Sequence, residues 1–192
     1  VADSAPVAID ADGDVFRWRR LGEPVTRMER LRRRQEILRA IREDLYGEGF
    51  LEVETPLLAR GGCPDLHIDS FAVGDGRYLV TSTEYQLKRM IAGGFDRVFT
   101  LTQNFRRGEV GAHHNPEFTM LEWARAFETL SAIEDDAERF VRSALRRIVP
   151  GSTVIERDGV RIDIGAPWER LSVRDAFARY LRRGAPAWVD RR

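Results

Sequence analysis

The hydrophobic positions of the chain follow helical and extended periods in turn. Between residues 27 and 48 the apolar positions fall on one helical side while arginines and acids cover the rest, which predicts an amphipathic helix. This apolar stripe consists of Leu31, Leu38, Ile41 and Leu45. Thr26 and Glu29 have the spacing of a capping box and place the start of the helix. The next residues, FLEVETPLL at 50–58, alternate as a strand that Pro56 stops.

The rest of the chain also alternates between strand and helix signals. LHIDSFAV and RYLVTS predict two strands joined by the turn GDG, EYQLKRMIAGG predicts a short helix, and RVFTLTQNFR and EFTMLEWA predict two more strands. A helix is predicted from Ser131, with Glu134 as its capping partner, and another from Ser172. Between them, TVIERDGVRIDI predicts a hairpin that turns at Asp158 and Gly159. Helices with a mostly antiparallel sheet make the predicted fold class α+β.

Composition narrows the class of protein without indicating an activity. The 192 residues are 43% hydrophobic, enough for a buried core, and the net charge of zero does not favour binding to nucleic acid or to an anionic membrane. Cys63 is the only cysteine, which excludes an internal disulfide and fits a reducing compartment. No apolar run approaches the roughly 18 residues that span a bilayer. We therefore expect a soluble cytoplasmic protein, with an N-terminal arm at 1–26 and one partial domain over 27–192.

Candidate chemistry lies in FRRGEVGAHHNPEFTMLEW, residues 105–123. Because successive side chains of a strand point to opposite faces, Phe118 and Glu122 share one face, and Asn104 shares a face with Arg106 on the preceding strand. If the two faces coincide, a ring, a cation and a carboxylate converge. A guanidinium binds phosphate, a phenyl ring stacks on a purine and a carboxylate binds an ammonium group. The stretch is therefore either a solvated polar hairpin or a site for such a charged ligand.

The adjacent histidines of this stretch do not predict a metal site. Side chains at neighbouring positions of a strand diverge, so His113 and His114 are poor joint ligands. The sequence also offers no matching third ligand, and we predict no metal-binding residues in it.

Three blocks of the chain resemble class II aminoacyl-tRNA synthetases of the lysine type, in the order that this family has. GFLEVETPLL resembles motif 1, with its proline at Pro56, and FRRGEVGAHHNPEFTMLEW resembles motif 2. TSTEYQLKRMIAGGFDRVFTLTQNFR resembles the segment between them. The resemblance covers residues 27–130 and continues more weakly to residue 181. It implies an antiparallel sheet flanked by helices, an ATP-dependent ligase, and a homodimer whose interface includes the surface from Leu38 to Leu58.

Two families of this type differ in the acceptor that they modify. Only about 26 residues precede the motif 1 helix, where lysyl-tRNA synthetases carry an anticodon-binding barrel. The form GExGxxHNPEFTxLEW is also more similar to the elongation factor P–(R)-β-lysine ligases. That resemblance implies activation of lysine or β-lysine as its adenylate and transfer to a lysine of elongation factor P. The alternatives are a lysyl-tRNA synthetase acting on tRNA-Lys and a non-catalytic binding paralog.

The resemblance also implies roles for individual residues. Arg106 matches the arginine that bridges the substrate carboxylate and the α-phosphate of ATP, and it is the predicted catalytic residue. The residues predicted to bind ATP are Arg106, Glu109, His114, Asn115 and Phe118. Phe118 matches the ring that stacks on adenine. The residues predicted to bind the amino acid, with both acids on its ammonium groups, are Ser82, Thr83, Glu84 and Glu122.

The chain departs from the family pattern at three places. Gly108 replaces the acid of motif 2, with Glu109 one residue later, and Ala124 stands where the family usually has tyrosine. No glycine-rich, arginine-bearing motif 3 follows residue 130, and the late acids that bind Mg²⁺ in this family are absent with it. The chain is therefore either part of a longer ligase or an inactive paralog.

Overall fold

The structure is a computed structural model that describes residues 27–157 and 159–180. Within these ranges it contains four helices and eight strands. In chain order they are α1 (Arg27–Gly47), β1 (Leu51–Glu52), β2 (Leu58–Ala59), β3 (Ala72–Gly74), β4 (Arg77–Leu79), α2 (Glu84–Ala92), β5 (Arg97–Phe105), β6 (Glu117–Arg125), α3 (Leu130–Ile148), β7 (Val154–Arg157), β8 (Val160–Asp163) and α4 (Val173–Tyr180). The predicted α+β fold class is confirmed.

The chain divides into two compact units, with the boundary between Pro150 and Gly151. The predicted arm at residues 1–26 lies outside the described residues, so the predicted domain boundaries stay a prediction. None of the helices in the described ranges is both long and apolar enough to cross a membrane.

The main sheet of the first unit has the strand order β1-β5-β6. β5 and β6 form an antiparallel hairpin of nine residues on each side, with Thr100 opposite Glu122 and Asn104 opposite Phe118. The two-residue β1 pairs with β5 in parallel. The β5–β6 hairpin is therefore the element that positions side chains on the two faces of this sheet.

The strand predicted from Phe50 and stopped by Pro56 is present as the two-residue β1, shorter than predicted, and a separate strand, β2, begins after the proline. Val53 N donates to Phe99 O at 2.9 Å just after β1. Pro56 has no N–H to donate, so the chain leaves the first sheet there. β2 pairs with β4 in a second sheet of order β2-β4-β3. The hairpin predicted around GDG is confirmed as β3 and β4, although both strands are shorter than the pattern predicted.

The helix predicted first in the chain is confirmed as α1, which packs on one face of the main sheet. Leu45 is fully buried and forms a cluster with Phe50 and Phe99, and Ile41 packs against it. Leu31, at the other end of the apolar stripe, is 48% exposed. Only the C-terminal half of the predicted stripe therefore contributes to the core.

α2 packs on the opposite face of the main sheet. Its Leu87 forms a buried cluster with Val53 and Val98, and Ala124 of β6 packs against this cluster. The β5–β6 hairpin consequently lies between two separate groups of apolar side chains, one on each face.

The helix starts agree with the predicted caps in one case and disagree in another. Ser172 Oγ accepts a hydrogen bond from Asp175 N at 3.1 Å, which confirms the cap of α4. The start predicted at Ser131 is wrong: α3 begins one residue earlier, after Thr129, whose extended backbone makes it the N-cap. Ser131 therefore lies inside the first turn. Thr26, the predicted cap of α1, lies outside the described residues.

The second unit contains the hairpin predicted near the C-terminus. β7 and β8 pair antiparallel, with Arg157 opposite Val160. Gly159 in the turn has φ +77°, a left-handed conformation that glycine adopts without strain. Asp158, the other predicted turn residue, lies outside the described residues, while the hairpin itself is confirmed.

Candidate active site

One face of the β5–β6 hairpin carries the polar residues that the sequence predicts to meet. Asn104 and Phe118 are opposite each other in the register, and Glu122 lies on the same face four residues along β6. Arg106 follows β5 directly, and its N–H donates to Pro116 O at 2.8 Å, which continues the pairing past the strand ends. The expected coincidence of the two faces is confirmed.

The Glu122 carboxylate binds the segment that leads into α2. Ser82 Oγ donates to Glu122 Oε1 at 2.6 Å, and Thr83 N donates to Oε2 at 2.6 Å. The Thr83 hydroxyl also donates to Oε2. Thr83 is fully buried at the N-terminal end of α2, where the helix dipole favours a carboxylate. Glu122 therefore holds residues 82–83 in place and acts as a capping group at the N-terminal end of α2.

The Arg106 guanidinium is partly buried and has three neighbours. Nε donates to Thr81 O at 3.3 Å, and Nη1 lies 3.6 Å from Glu109 Oε1. Cζ lies 5.3 Å from the centroid of the Phe118 ring, within the range of a cation–π contact. These contacts hold a guanidinium and a phenyl ring side by side.

Residues 80–83 connect this guanidinium to the Glu122 carboxylate. The Val80 carbonyl accepts a hydrogen bond from the last residue of β5 at 3.0 Å, and the next carbonyl, that of Thr81, accepts from Arg106. The two residues after that donate to Glu122. Four consecutive residues thus fix the guanidinium and the carboxylate relative to each other.

Glu109 reaches Arg106 because the backbone turns at Gly108. Gly108 has φ +83°, a conformation in which a side chain would be strained. The turn returns the carboxylate of Glu109 to the arginine three residues before it. The acid that is displaced by one residue from its position in the family pattern therefore still faces the arginine of motif 2.

His114 and Asn115 lie exposed in the loop between β5 and β6. Gly111 N donates to His114 O at 3.1 Å, which closes a turn at the tip of the loop. The structure does not bring either side chain into contact with Arg106 or Phe118, and their roles beside the nucleotide stay predictions.

Glu84 is joined to the Glu122 cluster through its backbone and to Lys88 through its side chain. Glu84 N donates to Ser82 Oγ at 3.1 Å. Its Oε1 lies 2.6 Å from Lys88 Nζ, one helical turn along α2. The hydrogen bond with Glu84 and the charge of its carboxylate raise the pKa of the Lys88 ammonium above its ordinary value. The two predicted acids therefore have different surroundings, because Glu122 binds hydroxyl and amide groups and Glu84 binds an ammonium group.

The departure at Ala124 has a packing explanation. Its methyl group packs against the buried cluster of Leu87 and Val98, beneath α2. A small side chain at this position lets the helix lie close to β6. The tyrosine ring that the family usually has at this position is replaced here by a methyl group.

Two features of the face had no signal in the sequence. Asn104 is fully buried, and neither polar atom of its side chain has a hydrogen-bond partner among the described residues, although buried amides are normally paired. Arg107 N donates to Asp69 O at 2.8 Å and the two side chains form an ion pair at 3.2 Å, which fastens the loop before β3 to the loop after β5. A contact between residues 38 positions apart has no local pattern by which sequence could predict it.

Comparison with known proteins identifies the family of the chain. The model of the tRNA synthetases class II (D, K and N) matches residues 16–187. The chain is 37% identical over 151 residues to the lysine–tRNA ligases of Pasteurella multocida (strain Pm70), Actinobacillus succinogenes (strain ATCC 55618 / DSM 22257 / CCUG 43843 / 130Z) and Haemophilus influenzae (strain PittEE). In each case the match covers 77% of this chain and 30% of the relative. The chain thus spans about a third of the length of these relatives.

The match over most of the chain makes the class definite: the chain belongs to the class II tRNA synthetases of the D, K and N group. Within that group, the relatives to which it is 37% identical are lysine–tRNA ligases.

Proposed function

We propose that the chain is part of a ligase that activates lysine or β-lysine with ATP as an aminoacyl-adenylate and transfers it to an acceptor. One observation carries this proposal: residues 80–83 hold the Glu122 carboxylate and the pair of Arg106 and Phe118 at fixed positions on one sheet face. The similarity to lysine–tRNA ligases supports the class of amino acid.

At the nucleotide end, Arg106 binds the α-phosphate and the substrate carboxylate, and Phe118 stacks on the adenine. The guanidinium presents two parallel N–H groups to oxygen and stays charged at any cellular pH. Glu109 orients it from one side. His114 and Asn115, in the adjoining loop, border the base.

At the amino-acid end, Glu84 and Glu122 provide the negative charge that attracts the ammonium groups of the substrate. Both oxygens of Glu122 already accept hydrogen bonds from Ser82 and Thr83, so Glu122 also positions these residues against the substrate. Glu84 is more exposed, and its carboxylate stands at the start of α2 next to them.

The reaction has two steps. A carboxylate oxygen of the amino acid attacks the α-phosphorus of ATP and pyrophosphate leaves, while Arg106 neutralises the charge that builds up on the phosphate. The acceptor nucleophile then attacks the carbonyl carbon of the adenylate, loses its proton and releases AMP. Both steps use a substrate that is fixed between Arg106 and the two acids.

For the acceptor, we favour the side-chain amine of a lysine on elongation factor P. The support is the form of motif 2, GExGxxHNPEFTxLEW. The second candidate is the terminal ribose hydroxyl of tRNA-Lys, which the printed names of the relatives favour. Both acceptors attack the same adenylate.

Magnesium would supply further compensation for the charge of the triphosphate. Within the described residues, no group of three or more His, Cys, Asp and Glu side chains is arranged to hold a metal ion. No step of the proposed reaction is therefore assigned to a metal ligand of this chain.

The test uses the full-length protein that contains this chain, with ATP and either L-lysine or (R)-β-lysine. Amino-acid-dependent exchange of pyrophosphate into ATP reports the adenylate. Elongation factor P and tRNA-Lys are then added separately. A gain in mass on the factor supports the first acceptor, and charging of the tRNA supports the second. No exchange with either amino acid, in a protein that binds ATP, would show a non-catalytic paralog and overturn the proposal.

We also propose a homodimer that forms through the surface from Leu38 to Leu58. Among the large apolar residues of this surface, Tyr46 and Leu51 are each 50% exposed and Leu58 is 41% exposed. Sedimentation velocity at tens of micromolar is expected to show a dimer that Leu51→Asp dissociates. A protein that remains monomeric at this concentration would contradict the assembly and leave the adenylate chemistry unaffected.

A further inference from the structure

The carboxylate of Glu84 already holds an ammonium group that belongs to the chain. Lys88 Nζ lies 2.6 Å from Glu84 Oε1, and Lys88 is the only lysine of the 192 residues. Glu84 is one of the two acids that bind the ammonium groups of the substrate in the proposed function. An internal ammonium and a substrate ammonium would therefore use the same carboxylate.

We propose that Lys88 is a tethered competitor for the substrate at Glu84, and that it sets how tightly the ligase binds an amino acid with a charged side chain. This inference rests on the proposed function. Lys88 touches neither the nucleotide end nor the reacting atoms, so its effect is confined to the binding of the amino acid.

The geometry makes this competition possible. The side chains of Glu84 and Lys88 are 54% and 66% exposed, so the ion pair is open to solvent and an incoming cation can displace Lys88. The backbone of Glu84 is fixed by Ser82 Oγ, which itself donates to Glu122. The carboxylate consequently stays at the amino-acid end of the site when Lys88 leaves it.

Two physical effects of Lys88 weaken the binding of the amino acid. The substrate must break the hydrogen bond of Lys88 with Glu84, and it also approaches a positive charge that remains nearby after displacement. Both effects are modest in water and are screened by salt. Removal of the ammonium should therefore tighten the binding of lysine by about two- to fivefold.

A different role for the pair is a simple helical ion pair that stabilises α2, since acid and base four residues apart commonly do this. That role predicts a small change in stability and no change in the affinity for lysine. The two roles are therefore separated by the binding of the amino acid, which a purely structural pair would not alter.

The experiment compares the full-length protein with Lys88→Met, which removes the ammonium, and Lys88→Arg, which keeps a cation. The KM values for L-lysine, (R)-β-lysine and ATP are measured by pyrophosphate exchange. Lys88→Met is expected to lower the KM for both amino acids by about two- to fivefold and to leave the KM for ATP unchanged. Lys88→Arg should resemble the wild type. At 0.5 M salt the difference between wild type and Lys88→Met should shrink, because the interactions are exposed.

A second arm repeats Lys88→Met in a Glu84→Gln background, where the gain in amino-acid affinity should disappear. An unchanged or higher KM for lysine in Lys88→Met, with normal exchange activity, would overturn the competitor role. Absence of exchange in both the wild type and Lys88→Met would instead overturn the proposed function and this inference with it. The two failures are distinguishable, because the first leaves an active enzyme.

Discussion

The two faces of the β5–β6 hairpin carry charged residues in different settings. On the face toward α1 and α3, Arg125 donates to Asp136 at 2.6 and 2.7 Å, and the carboxylate is almost completely buried. Arg139 Nη1 lies 2.8 Å from the same carboxylate, and its Nε donates to Asp44 at 2.8 Å. Arginines and acids on this face thus bind one another inside the packing of the helices.

On the other face, the charges are only partly enclosed. Arg106 has a side chain that is 24% exposed, and its ionic partner Glu109 lies at 3.6 Å, farther than either partner of Asp136. Glu122 binds hydroxyl and amide groups and, within residues 27–157 and 159–180, no cation. One face thus uses its charges to join helices to the sheet, whereas the other leaves a cation and a carboxylate partly exposed, as the proposed ligand site requires.

The largest effect is expected from Arg106→Ala. Loss of a group that stabilises charge in the transition state commonly costs roughly 10²–10³ in rate, so adenylate formation should fall by about that factor. Arg106→Lys should recover little, because an ammonium lacks the two-pronged geometry. Pyrophosphate exchange measures both. The matched control is Arg107→Ala, which removes the neighbouring, more exposed arginine and should keep most of the activity. Similar losses in the two alanine variants would argue against a special role of Arg106.

Asp136→Asn should affect stability and spare the chemistry. It removes the almost completely buried carboxylate that Arg125 and Arg139 share, and breaking a buried ion pair typically costs about 3–5 kcal/mol in the free energy of unfolding. Denaturant unfolding measures this loss, and the control is Asp135→Asn at the exposed neighbouring position, where an exposed interaction contributes no more than about 1 kcal/mol. A stable Asp136→Asn variant would show that the Arg125 network does not hold this face together.

The same carboxylate predicts a dependence of stability on pH. Burial alone would raise the pKa of Asp136, but hydrogen bonds and charge from Arg125 and Arg139 outweigh it and the pKa lies below the ordinary 3.8. The contribution is therefore complete above the pKa of the unfolded chain and is lost as pH falls through the lower pKa of the folded state. Acid unfolding curves should show that Asp136→Asn lacks this loss below about pH 3.8. If the wild type and Asp136→Asn lose stability equally on acidification, the carboxylate of Asp136 does not contribute this pH dependence.

Glu122→Gln is expected to lower both stability and the affinity for lysine. A neutral amide cannot accept from Ser82 and Thr83 at both positions, and hydrogen bonds to a charged group contribute about 1.5–3 kcal/mol. Thermal unfolding and calorimetric titration of lysine measure the two losses. Glu117→Gln, an exposed acid on the same strand, is the control and should change neither. Unaltered lysine binding in Glu122→Gln would remove Glu122 from the amino-acid end.

The smallest effect is expected from Phe118→Ala. Loss of one ring beneath one base weakens nucleotide binding by about 1–3 kcal/mol, and Phe118→Tyr should restore it because the stacking surface remains. Calorimetric titration of ATP measures this change. If the alanine and tyrosine variants bind ATP equally well, the ring does not stack on the base.

The sequence predicted the parts of this account that depend on local pattern. The alternation of β5 and β6, the turn at GDG and the cap at Ser172 follow from neighbouring residues, and each is present in the structure. The order of the motifs indicated the family. The period of two predicted that Phe118 and Glu122 share a face, whereas the register of the hairpin was needed to place Arg106 on the same side.

These local patterns do not predict contacts between residues that are far apart in the sequence. The link from Thr81 O to Arg106 Nε joins positions 25 residues apart, and the partners of Glu122 lie about 40 residues before it. The period of a strand defines a face but does not say which loop covers it. The resemblance to the family predicted a role of Glu122 toward the substrate, whereas its hydroxyl and amide partners follow only from the packing of α2.

The most direct test of two ligand ends on one face is a crossed calorimetric titration of ATP and of L-lysine into Glu122→Gln and Phe118→Ala, each in the full-length protein. We expect Glu122→Gln to weaken lysine and leave ATP nearly unchanged, because only the ammonium loses a charged partner. We expect Phe118→Ala to weaken ATP and leave lysine nearly unchanged. Equal losses of both ligands in either variant would contradict separate nucleotide and amino-acid ends on this face of the hairpin.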